Sequence, residues 1–75
     1  MTREALRRKY IVTSEPPVTA MLRKAFDEDD RDGRMTEEAF VDHFLLNDCD
    51  LPDVRNAWIV YQKYHNELAN YEPVR

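Results

Sequence analysis

Val18, Met21, Leu22, Ala25 and Phe26 stand at i, i+3, i+4, i+7 and i+8, a spacing that puts all five side chains on one face of a helix. Three other segments carry apolar residues at steps of three and four, and none shows the alternation of period two that a half-buried strand needs. The chain is therefore read as all-α, a small four-helix domain with a central helix–loop–helix and a long C-terminal helix. At 75 residues one domain is expected, with a core limited to burying roughly 60% of the surface exposed on unfolding.

The first helix spans about 2–11, with Leu6 and Tyr10 four apart on an otherwise basic stretch. Short helices of this kind are marginal alone. Thr13-Ser14-Glu15-Pro16-Pro17 ends it, because residues preceding proline avoid the α region. Ser14 or Glu15 then leads into the second helix, with proline in the first turn where a missing N–H costs nothing. That helix is expected to end near Asp27–Glu28, since acids at a C-terminus oppose the helix dipole. Residues 28–35 read as a loop, with Asp32-Gly33 as the turn signal. Thr36 is the expected N-cap of a third helix over 37–47, whose stripe is Phe40, Val41, Phe44 and Leu45. The fourth helix starts at Asp50 with Pro52 in its first turn. Its stripe is Val54, Ala57, Trp58, Tyr61, His65 and Leu68, and Ile59, Val60 and Tyr64 fall outside it. Residues 70–75 read as a tail.

Charge is segregated along the chain. Residues 1–26 carry a net +4, residues 27–53 a net −9 and residues 54–75 a net +1. This pattern sets association and its salt dependence rather than the fold. The run Asp27-Glu28-Asp29-Asp30 followed by Asp32 supplies oxygen ligands of the type hard divalent cations prefer. With helices on both sides, Asp32-Gly33 at a sharp turn, Met35 two residues on and Phe40 and Phe44 beyond, residues 17–47 resemble an EF-hand. The resemblance implies calcium on Glu28, Asp30 and Asp32, the first, third and fifth ligand positions counted back from Gly33. Ala39 stands where the bidentate glutamate belongs, a loss that weakens calcium binding. The simpler reading is a solvated acidic turn joining two helices.

Other chemistry is poorly provided for. Gly33 is the only glycine, which excludes a Gly-rich phosphate loop. Cys49 has no partner for a disulfide and cannot build a zinc site by itself. His43 and His65 lie on different helices, and the carboxylates sit in a solvated run, so no catalytic set is recognisable and the chain is expected not to be an enzyme. No apolar run approaches the roughly 18 residues of a membrane span and no signal-peptide core follows the basic start, which points to a cytoplasmic, reducing location without a membrane partner. Arg3, Arg7, Arg8 and Lys9 form a basic end too short to make direct nucleic-acid binding the expectation in an acidic chain.

A binding role remains. Trp58, Tyr61 and Tyr64, with Ile59 and Val60, give the fourth helix apolar groups on nearly two faces, more than three short neighbours are expected to cover. The expected function is a non-enzymatic protein-interaction module: a small adaptor, accessory subunit or inhibitor. It would meet a partner with a basic surface through Asp27, Asp29 and the acidic region, and through Trp58, Ile59, Val60, Tyr61 and Tyr64. A homodimer would use the same helix. The alternatives are an EF-hand-like calcium-binding protein and an acidic inhibitor that imitates nucleic acid on an enzyme.

Overall fold

The computed structural model describes residues 2–71, and contains the four helices α1 (Arg3–Val12), α2 (Pro16–Asp32), α3 (Glu37–Leu46) and α4 (Leu51–Tyr71). Among the described residues no strand occurs. Of the tail read over 70–75, residues 72–75 lie outside the described residues, and α4 continues through 70 and 71. The architecture is the all-helical one expected, with α4 as the rod against which α1, α2 and α3 all lie.

Local chemistry explains the ends. Thr2 caps α1 by accepting the Ala5 N–H at 3.1 Å, and Thr36 caps α3 by accepting the Ala39 N–H at 3.2 Å. Each satisfies one of the N–H groups that a first turn leaves without a partner. Pro16 and Pro17 occupy the start of α2. The α1–α2 corner is tied by Ser14 Oγ donating to Tyr10 C=O at 2.6 Å and Thr19 Oγ1 donating to Ile11 C=O at 3.1 Å.

The α2 end is a correction. The helix does not stop at Asp27–Glu28 but carries the acidic run as its last turns, leaving only 33–36 as loop. The unfavourable dipole is offset at three of the five acids. Glu28 pairs with Arg31, Asp29 is held by Tyr61 and His65, and Asp30 is held by Arg7. Gly33 closes the helix at φ 87°, a conformation costly for any residue with a Cβ, and its N–H donates to Asp29 C=O.

At the other corner α3 ends in a Schellman motif. The Asp48 N–H donates to Leu45 C=O at 3.3 Å and the Cys49 N–H to Phe44 C=O at 3.1 Å. Asp48 takes the left-handed conformation, φ 63°, where a residue with a Cβ costs about 1–2 kcal/mol relative to glycine. Cys49 packs against the core beside Phe44, the apolar contact that accompanies this motif.

The core runs along the α2 stripe Val18, Met21, Leu22, Ala25 and Phe26, meeting Phe40 and Phe44 of α3, Leu6 of α1 and Val54, Ala57, Trp58, Tyr61 and Tyr64 of α4. Its aromatic rings touch in series: Phe44 to Phe40 at 4.8 Å between centroids, Phe40 to Tyr61 at 5.0 Å and to Trp58 at 5.3 Å. At the far end Phe26 meets Tyr64 at 4.6 Å.

The short basic α1 is the fourth wall of this core, with Leu6 inside it, Tyr10 and Ile11 packed against it and polar clamps around them. Arg7 lies over the rings of Phe26 and Tyr64, donates from Nε to Tyr64 Oη at 3.0 Å and forks onto both oxygens of Asp30. Lys9 and Tyr10 both bind Glu67. The hydrogen bond from Arg7 holds the Asp30 carboxyl below its ordinary range, and those from Tyr10 and then Lys9 do the same for Glu67. A carboxylate whose folded pKa is depressed contributes its stability in full above its unfolded value, about 4 to 4.5, and loses it as pH falls through the folded value. The denaturation midpoint is therefore expected to fall below about pH 5. The double variant Asp30→Asn/Glu67→Gln should flatten that fall; an unchanged acid limb would show that these clamps do not carry it.

Candidate functional site

The residues singled out by sequence separate into three groups once placed. The first is the proposed metal set. On a helix successive residues turn by about 100°, so Glu28 and Asp32 share one face of α2 while Asp30 points away from them, toward α1 and Arg7. Three carboxylates of a loop would converge on an ion; three at alternate positions of a helix diverge. Among the described residues no group of three His, Cys, Asp or Glu side chains could hold a metal ion. The EF-hand-like reading reduces to a helix–loop–helix with a short loop, and the acid run forms the last turns of α2. Millimolar calcium is expected to leave the thermal midpoint of the wild type unchanged, in parallel with Asp32→Ala; a calcium-dependent rise that Asp32→Ala abolishes would contradict this.

The second group is buried. Tyr61 and Tyr64 are fully enclosed and Trp58 retains only 9% of its surface. None of the three presents a ring to a partner, contrary to the expectation that α4 is too aromatic for its neighbours to cover. α1 supplies the missing cover. The Arg7 guanidinium closes over Tyr64, which sequence spacing had left outside the stripe, and Leu6 enters the same core. Asp29 is also withdrawn from the surface, with 7% of its side chain exposed. Its Oδ1 accepts from Tyr61 Oη and its Oδ2 lies 2.7 Å from His65 Nε2. A carboxylate only accepts, so the His65 proton on this side resides on Nε2. Tyr61 Oη in turn accepts the Met35 N–H at 2.8 Å. Burial first, then the bond to Asp29, pushes the Tyr61 phenol well above its usual range. Burial likewise raises that of Tyr64, opposed by Arg7. The network joins the end of α2, the 33–36 loop and the middle of α4, and no buried side-chain polar atom lacks a partner among the described residues. Asp29 and His65 of this network line a cleft of about 120 Å³ with Arg3, Arg7 and Arg34.

The third group is accessible. Asp27 is exposed, Ile59 is 48% exposed and Val60 is half-buried. The two α4 residues border a shallow groove of about 250 Å³ with Ser14 and Val18 at the α1–α2 corner. Sequence reasoning passed over a further surface. Leu45, Leu46 and Leu51 are exposed where α3 turns into α4, and Val12 at the end of α1. Leu46 was the signal available for it: an apolar residue next to Leu45, off the Phe40–Phe44 stripe and one turn from a chain reversal. A groove of about 270 Å³ opens between the start of α2 and the α3–α4 corner, floored by Met21 and Phe44 and edged by Asp48, Asp50 and Asp53.

No helix among the described residues is long and apolar enough to cross a membrane. Compared with protein-family profiles, curated proteins and solved structures, the chain matches none, and its surfaces are read from their own chemistry.

Proposed function

We propose that the chain is a non-enzymatic protein-interaction module, of the kind that serves as an adaptor, accessory subunit or inhibitor. The observation that carries this reading is the contrast between a closed aromatic core and large aliphatic side chains left outside it, with Leu46 85% and Val12 74% exposed. Single exposed apolar residues are ordinary, but Leu45, Leu46 and Leu51 fall within seven positions across the α3–α4 turn, and apolar side chains concentrated on one part of a small protein's surface suit a contact site. Unpaired charge alongside adds steering and salt sensitivity, while the leucines govern the off-rate. The buried tyrosines give the module a rigid frame in place of the contact surface they were expected to form.

The test is affinity purification at low and high salt with wild type and Leu46→Ser. Specific partners should be retained by wild type, released by salt and lost from Leu46→Ser. Equal capture by the two proteins, or no capture at low salt, would overturn the reading.

A further inference from the structure

We infer that the groove between the start of α2 and the α3–α4 corner takes a cationic amphipathic segment of a partner protein, with a lysine or arginine side chain laid along its floor. This rests on the interaction reading and assigns it a site and a chemistry. Met21 and Phe44 form an apolar floor contributed by two helices, with Ala20 beside them. At about 270 Å³ the space is below the roughly 300–1,000 Å³ of small-molecule sites and suits one or two inserted side chains.

Charge selects which side chains. Asp48, Asp50 and Asp53 edge the groove against a single cation, Lys24. Among the described residues none of these three carboxylates has a side-chain hydrogen bond or ion pair, whereas Glu28, Asp29, Asp30 and Glu67 are each held by a side-chain partner. The negative charge left uncompensated here shares the groove with the apolar Met21 and Phe44, and the exposed Leu45, Leu46 and Leu51 lie in the same α3–α4 corner of the chain. A helix with apolar and basic residues at helical spacing matches both. Its apolar face covers the leucines, and the aliphatic stem of a lysine or arginine lies on Met21 and Phe44 with its charged end among the aspartates.

The experiment titrates the full chain with a synthetic Leu/Lys amphipathic helix and follows amide NMR shifts and calorimetric affinity. Asp48→Asn/Asp50→Asn/Asp53→Asn is compared with Asp27→Asn/Asp32→Asn/Glu38→Gln, which removes the same charge elsewhere. Shifts should centre on Ala20, Met21, Phe44 and Cys49. Affinity should drop about tenfold in the corner variant, the size of three exposed ion pairs, and little in the other. Asp48→Gly should melt higher yet bind more weakly, which separates lost binding from lost folding. Shifts centred on 27–38, or equal losses in both triple variants, would overturn the proposal. A dimer of the free chain with this corner at its interface would overturn it as well, by naming a second copy as the occupant. If Leu46-dependent capture of partners persists while the peptide ignores the corner, the groove assignment alone falls; if both fail, the interaction reading falls with it.

Discussion

Phe40→Ala is expected to leave the chain largely unfolded at room temperature or to lower its midpoint drastically. Phe40 is completely buried and its ring touches Phe44, Trp58 and Tyr61, so its loss removes the link between α3 and α4 and opens a cavity that neighbouring rings cannot fill without leaving their own contacts. Truncations of this kind cost about 3–5 kcal/mol. A chain of this length has roughly 4–11 kcal/mol in total at 0.05–0.15 kcal/mol per residue. Urea denaturation followed by far-ultraviolet circular dichroism reads the result. Phe40→Leu, which keeps most of the volume, should recover the larger part of the loss. A Phe40→Ala midpoint within experimental error of wild type would mean that α3 does not depend on the aromatic contacts described.

Tyr61→Phe is expected to have the next largest effect although it removes a single oxygen. That hydroxyl donates to Asp29 and accepts from the Met35 N–H. Without it the nearly buried Asp29 carboxylate keeps only His65 and the backbone donor loses its partner. Leaving buried polar groups unsatisfied costs about 1–3 kcal/mol each, more where one is charged. A loss of about 2–3 kcal/mol overall would lower the melting temperature by roughly 10–20 °C in a domain of this size. The double variant Tyr61→Phe/Asp29→Asn should lose less than the sum of the two single changes, because the groups act as one network. Full additivity would show that they do not.

How much of this could be seen in the residues alone follows from the range of the interactions. The α2 stripe, the Thr36 cap and the prolines opening α2 are local patterns, and they are legible because each acts within a few positions. The end of α2 is not. Asp29 and Asp30 extend the helix by means of His65, Tyr61 and Arg7, which lie 23 to 36 positions away, and no window along the chain brings them together. Tyr64 fails to stand out for the same reason: a three-and-four spacing admits position 65, and only the arrival of α1 makes position 64 interior as well. The expectation drawn from the residues was an acidic region working with the aromatic face of α4, and the leucines of the α3–α4 corner were passed over. The rings of α4 are covered by its neighbours, while Leu45, Leu46 and Leu51 stay exposed.

The lone indole has a practical consequence. Trp58 is the only tryptophan, is almost enclosed, and lies 5.3 Å from Phe40 and 5.6 Å from Tyr61 between ring centroids. Its intrinsic fluorescence therefore reports a single location, the seam between α3 and α4, with nearby phenols passing excitation to it. Native emission should be blue-shifted and move to the red when the seam opens, providing a label-free optical gauge of folding with no engineered dye.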